Sequence, residues 1–142
     1  MTIATILGGN RRELISTHAA ISVRDAITLL AQQRIGAVPV MDGDEVVGVF
    51  SERDVIHTLE AHGAAALDLA VGDVMTAPAI TVAPEHAVIG ALSLMTQRRI
   101  RHLPVLDQGR VVGIVSIGDL VKYRIDRIEA DAEALRSYIQ QA

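Results

Sequence analysis

The chain has 142 residues, half of them apolar, a formal charge of −4 and no cysteine. This length suits one compact unit or two small ones sharing a core. Disulfides, thiol nucleophiles and cysteine-based zinc sites are excluded, and an acidic balance with only Phe50, Tyr123 and Tyr138 as aromatics argues against a nucleic-acid-binding face.

The first residues, Met1 to Thr5, carry neither a basic stretch nor a long apolar run, so they do not read as a secretory signal. No apolar run approaches the roughly 18 residues a membrane span needs. A cytoplasmic setting without membrane contact is the expectation.

From Ile15 to Ile56 the sequence matches itself 65 residues on without a gap, and 15 of the 42 positions are identical. Ahead of that stretch the offset becomes 68, so Ile6-Leu7 aligns with Val74-Met75. The expected organisation is a first copy over 3–62, a linker rich in Ala, Gly and Asp over 63–73, a second copy over 74–125, and a helical extension over 126–142. Two copies are too few for a solenoid. They suit a pseudo-two-fold pair in which each covers the other's open face.

Each copy reads as β-α-β-β-α, which makes the fold class α+β. A short extended piece comes first, at Leu14–Ser16 and at Ala79–Val82. A helix follows. Ser22 with Asp25 resembles a capping box, with Val23, Ala26, Ile27 and Leu30 at helical spacing. In the second copy Val88, Ala91, Leu92 and Met95 repeat that spacing, and Pro84 suits a helix start. The strands Ala37–Met41 and His102–Leu106 each contain a proline, which predicts an edge or a bulge. Turns at Asp42-Gly43-Asp44 and Asp107-Gln108-Gly109 lead into Val46–Phe50 and Val111–Val115. A second helix opens at Ser51 and at Ser116.

From Gly118 onward one long helix is predicted. Val121, Ile125, Ile128, Ala132, Leu135 and Ile139 are spaced 4, 3, 4, 3, 4, which is a heptad seam. Such a helix either packs on its own domain or pairs with a second copy.

The residues with most chemical content are two strand-to-helix junctions, Gly48-x-x-Ser51-x-x-Asp54 and Gly113-x-x-Ser116-x-x-Asp119. Serine at an N-cap with aspartate three residues on is a sound helix start by itself, worth about 1 kcal/mol. The same geometry also suits a ligand. Free N–H groups at a helix start attract phosphate, a rigid carboxylate accepts ribose hydroxyls, and a glycine in the strand leaves room for a flat base. The residues alone leave both readings open.

The doubled pattern resembles a tandem pair of cystathionine-β-synthase (CBS) domains, the arrangement called a Bateman module, of the stand-alone bacterial type. The likeness rests on Arg34–Val40 and Arg98–Val105, the Asp turns, the Val-Val-Gly strands, both Ser/Asp junctions and the phrase Val71–Thr76. It covers residues 3–125. It implies a small antiparallel sheet and two helices per copy, with two clefts that hold AMP, ADP, ATP, NAD or S-adenosylmethionine and regulate rather than catalyse.

On this chain the resemblance assigns ribose hydroxyls to Asp54 and Asp119. Ser51 and Ser116 fall near sugar and phosphate. The adenine is framed by Thr17, by Thr81 and Val82, by Ala37 and Val38 before Pro39, and by His102 and Leu103 before Pro104. The copies differ in charge: Arg101 and His102 stand for Gly36 and Ala37, and Arg53 stands for Gly118. Arginine suits phosphate because its charge is permanent and its donors form a fork. Arg53, Arg101 and His102 are thus the expected phosphate cations, and the Asp54 cleft the better equipped. Arg98, Arg99 and Arg101 also read simply as a solvated helix end, where cations favour the dipole.

His18, His57, His62 and His86 show no metal-ligand spacing and read as surface residues. Gly8-Gly9 reads as an isolated turn, and no Walker, Rossmann or Gly-x-Ser-x-Gly motif is present. The expected function is a sensor that binds an adenine nucleotide and uses no catalytic cofactor or metal. It would signal through a homodimer or an effector in trans. The alternative is a purely structural dimerisation module, and an enzyme would need a catalytic set that does not stand out.

Overall fold

The computed structural model describes residues 1–9 and 13–141. In chain order the elements are α1 (Ile3–Gly9), β1 (Thr17–His18), α2 (Val23–Gln33), β2 (Ala37–Asp42), β3 (Glu45–Ser51) and α3 (Glu52–His62). A 3-10 helix (Gly63–Asp68) and α4 (Val71–Val74) lead to α5 (Val88–Arg98), β4 (His102–Asp107), β5 (Arg110–Ser116) and α6 (Ile117–Gln141).

Both hairpins form as the apolar runs and Asp turns predict. β2 and β3 pair antiparallel with Val38 opposite Phe50, and β4 and β5 repeat this with Leu103 opposite Val115. Each pairing slips one residue after the proline, at Val40/Met41 and at Val105/Leu106. The expected bulge is therefore present twice. The prolines cost no ladder bond on the other side. The Val82 N–H donates to the Pro104 carbonyl and the Leu106 N–H to the Val82 carbonyl, so that ladder starts beyond the missing N–H.

The opening strands are shorter than expected. Leu14–Ser16 is not strand; β1 is only Thr17–His18, parallel to Val40 and Met41. In the second copy Val82 alone bridges Val105. Parallel pairing is available only along the few residues of β2 and β4 beyond the proline, which limits both strands.

α2 starts as Ser22 predicts, its Oγ accepting the Asp25 N–H at 3.1 Å. α5 does not start at Pro84. It starts at Val88, because the main chain of 84–88 is taken by the N-terminal segment: the Ile3 N–H donates to the His86 carbonyl, Ala4 to Pro84, and Val88 to Met1. The first copy shows the mirror arrangement, with Val71 donating to Ile21, Gly72 to Ala19 and Val23 to Leu69. Gly8 and Gly9 close α1 and are not a separate turn.

The lead-in segments are therefore exchanged. α1 belongs to the first copy in sequence, yet Ile3 and Ile6 sit in the core of Val82, Val88, Met95, Leu103, Val115 and Leu120. Val71, with Val74 and Met75 beside it, completes the core of Val23, Leu30, Val38, Val40 and Phe50. Ile3 and Val71 are both fully buried, and burying such a side chain is worth about 1.5–3 kcal/mol. Each half is thus closed by a piece of chain next to the other.

α6 is one helix of 25 residues. Only its first turns touch the body: Leu120 is buried, and Ile117 and Tyr123 pack beside it on the second core. Val121, Ile125, Ile128, Leu135 and Ile139 stay exposed. The heptad seam does not pack on its own domain.

Candidate functional site

Both junctions form the helix starts that the Ser/Asp spacing predicts. At α3 the Ser51 N–H and Oγ both donate to Asp54 Oδ2, at 2.8 and 3.1 Å, and the Asp54 N–H returns to Ser51 Oγ at 3.4 Å. At α6 the Ser116 N–H donates to Asp119 Oδ2 at 3.0 Å and the Asp119 N–H to Ser116 Oγ at 3.1 Å.

Among the described residues, only Asp54 gains a further donor. Thr76 Oγ1 reaches its free Oδ1 at 2.8 Å. Thr76 is held against β3 by two main-chain bonds to Val49, each 2.9 Å. In the repeat, Gly8 stands where Thr76 stands, so that position brings no hydroxyl to the second junction.

Two readings of this junction change. The glycine of the strand does not leave room for a base. A Cβ on Gly48 would meet Met75 Sδ at 2.6 Å and the Thr76 carbonyl at 2.8 Å, and one on Gly113 would meet Leu7 Cδ2 at 2.8 Å. The space is filled by the exchanged lead-in segments. Nor is the start of α3 an open anion site. The Glu52 N–H donates to the Gly36 carbonyl and the Asp54 N–H to Ser51, while Glu52 and Asp54 place two carboxylates in the first turn. A phosphate must look to the arginines.

They are close by. A cleft of about 580 Å³ lies between the copies. Ser51, Arg53 and Asp54 of the first copy line it, facing Arg98, Arg99, Arg101 and His102 of the second. Its apolar wall is Val49 and Ile56 on one side, and Pro78, Ala79, Ile80 and Ile100 on the other. Five of the expected residues thus meet in one place. The divergence in charge between the copies is what furnishes this cleft.

Arg53 already spans it. Its Nη1 donates to the Arg99 carbonyl at 2.6 Å. Arg99 caps α5 in the left-handed conformation (φ 54°), as Arg34 caps α2. A cation at a helix C-terminus is favoured by the dipole, so this contact fastens the two copies together.

His102 crosses as well. Its Nε2 lies 3.2 Å from the place a Gly36 Cβ would occupy, so a larger residue at 36 would press on the ring. Burial lowers the imidazole's pKa below the ordinary histidine value. Glu52 and Asp119 pull it back up in part, and Arg101 adds to the lowering. The fold therefore favours the neutral ring over the cation.

The remaining expected residues lie elsewhere. Ala37, Val38, Pro39, Leu103, Pro104 and Val82 are buried in the strands of the two cores. Thr17 is buried at β1, and Thr81 follows the cleft wall without lining the cavity. Ser116 and Asp119 stand at the second junction. Residues 10–12 lie outside the described residues.

Sequence reasoning missed Val49, Ile56, Thr76, Pro78, Ala79, Ile80 and Ile100. His57 is exposed, as expected, and borders the cleft. The phrase Val71–Thr76, aligned with Ile3–Gly8, was the available signal for Thr76. Among the described residues no cluster of side chains suits a metal ion, and no helix is long and apolar enough to cross a membrane.

Two similar halves, exchanged lead-ins and a cleft between them define a tandem-repeat module. A family model described as the CBS domain matches the chain twice, over residues 7–61 and 71–126. The chain belongs to the CBS-domain family, as a tandem pair.

It is 36% identical over 124 residues to the mitochondrial CBS domain-containing protein CBSX3 of Arabidopsis thaliana, covering 84% of this chain and 60% of that protein. It thus spans somewhat less than two thirds of that relative's length. The structure is similar to a CBS-domain containing protein from Agrobacterium tumefaciens, with TM-score 0.84, 34% identity and coverage of 87% and 99%. Two structures with ligands are also similar. The CBS domain pair of the protein MJ0100, solved with 5′-methylthioadenosine and S-adenosylmethionine, has TM-score 0.79, 25% identity and coverage of 89% and 98%. A CBS domain protein from Pyrobaculum aerophilum, solved with AMP, has TM-score 0.73, 25% identity and coverage of 84% and 89%.

Proposed function

We propose that this chain is a regulatory module that binds an adenine nucleotide, AMP, ADP, ATP or NAD, in the cleft at Asp54. It then signals through a second copy of itself or through a partner protein. The observation that carries this reading is the meeting, in one cleft, of the Asp54 carboxylate, four arginines and an aliphatic wall. A cavity of about 580 Å³ is of the size small-molecule sites have. The adenosine moiety common to the ligands of the two similar complexes supports it.

In this reading Asp54 accepts the ribose hydroxyls, with Ser51 fixing the carboxylate. Val49, Ile80 and Ile100 bracket the base. Arg53 and Arg101 take the phosphate, and His102 donates to it. Ser116 and Asp119 would serve a second, less basic cleft. Binding rather than turnover is the reading taken, because the Ser51 hydroxyl and the Asp54 carboxylate are engaged with each other as a helix start. A phosphate on Arg53 would compete with the Arg99 carbonyl for the same guanidinium. That gives ligand-bound and empty states different contacts between the copies, which a regulatory response requires.

Thermal unfolding with AMP, ADP, ATP, NAD and S-adenosylmethionine in turn tests the reading. A true ligand at 100 times its dissociation constant adds about 2.7 kcal/mol. Stabilisation by one of the four nucleotides supports it, and no stabilisation by any of them at millimolar concentration contradicts it.

A further inference from the structure

The exposed seam of α6 carries more information than its apolar residues. Val121, Ile125, Ile128, Leu135 and Ile139 are 42, 49, 53, 60 and 63% exposed. A helix of 25 residues is about 37 Å long, and only its first turns are held by the body. The charged residues beside the seam decide what can lie on it.

With Ile125, Ala132 and Ile139 at the a positions and Val121, Ile128 and Leu135 at d, the e positions are Lys122, Glu129 and Arg136. The g positions are Arg124, Asp131 and Tyr138. In a parallel, in-register pair each g residue meets the e residue five places on in the other helix. That sets Arg124 against Glu129 and Asp131 against Arg136, opposite charges in both cases and on both sides of the pair. In an antiparallel pair with the six apolar layers fully overlapped, e meets e and g meets g. That sets Lys122 against Arg136, Glu129 against Glu129 and Asp131 against Asp131, like charges in all three. Asp131 and Arg136 also make in-helix pairs with Arg127 at 3.5 Å and Glu133 at 3.8 Å. Such exposed pairs are weak and do not hold the side chains from a partner.

We infer that α6 pairs with α6 of a second copy as a parallel, in-register two-stranded coiled coil. This rests on the self-association part of the reading above and is independent of the ligand. It fixes the orientation: the two bodies sit at the same end of the coil, so their clefts are carried side by side.

Because the chain has no cysteine, one introduced thiol reports alone. In full-length I139C a parallel coil faces the two thiols in one layer, and mild oxidation gives most of the protein as a covalent dimer. In R124E the dimer weakens roughly fivefold, since two exposed ion pairs become like-charge contacts. R124E/E129R restores it. No cross-link in I139C, with cross-linking between V121C and I139C chains when mixed, means an antiparallel pair; it overturns the inference but keeps self-association. A monomer mass in light scattering at tens of micromolar, with no cross-link in any variant, overturns both.

Discussion

Thr76 donates its hydroxyl to Oδ1 of Asp54 at 2.8 Å, across the exchange that brings the lead-in of the second copy onto the first. The other carboxylate oxygen is spent on Ser51. Oδ1 is therefore where a ribose hydroxyl would arrive, and Thr76 is its rival or its companion. Asp54→Asn should weaken AMP binding about tenfold or more, since a hydrogen bond to a charged group is worth about 1.5–3 kcal/mol. Thr76→Val should change it far less. Calorimetric titration of both variants distinguishes them, and equal losses would remove Asp54 from the ribose.

The cations of the cleft predict a selective loss. Arg101→Ala should weaken ATP and AMP while leaving adenosine nearly unchanged, because only the phosphates need the guanidinium. The measure is the ratio of ATP to adenosine affinity in the variant and the parent. An equal loss for both compounds refutes a phosphate role.

Gly48 and Gly113 occupy matched positions with unequal neighbours. A methyl at 48 would strike both Met75 Sδ and the Thr76 main-chain carbonyl, whereas one at 113 meets the end of the flexible Leu7 side chain. Gly48→Ala should cost about 1–3 kcal/mol. Gly113→Ala should cost distinctly less. Denaturant melts of the two variants check the order. The reverse order would mean that the exchanged segments are not packed as described.

His102 predicts a pH dependence. Its pKa in the fold is lowered by burial, against the pull of Glu52 and Asp119 and with the help of Arg101. Between that lowered value and the ordinary one, the unfolded chain binds a proton that the folded chain does not. Stability contributed by the neutral ring is therefore whole above the ordinary histidine pKa and falls as pH drops through it. His102→Gln should remove that part of the decline, which sets in as pH drops through the ordinary histidine pKa. A bound phosphate favours the imidazolium, so AMP affinity should rise on acidification in the parent and less in the variant.

Much of this was legible because it is local. The hairpins follow from apolar runs bounded by Asp turns, and the helix starts follow from Ser and Asp three residues apart. The repeat itself exposed the charge difference that furnishes the cleft. What was not legible depends on contacts between distant segments. The exchange of α1 and α4 is invisible to spacing, so Pro84 looked like a helix start and Gly48 like room for a base. Thr76 and Ile80 line the cleft only because that exchange brings them there. The lowered pKa of His102 depends on its burial against Gly36, which no single stretch of sequence encodes.

The central claim is that the cleft at Asp54 takes an adenine nucleotide. Calorimetric titration of AMP into the parent chain and into Asp54→Asn/Arg101→Ala, side by side at one pH, tests it most directly. The account predicts saturable binding by the parent and loss of about a hundredfold or more in affinity in the double variant, the sum of a charged hydrogen bond and a phosphate contact. Equal AMP affinity in both proteins, or no binding by either, would contradict it.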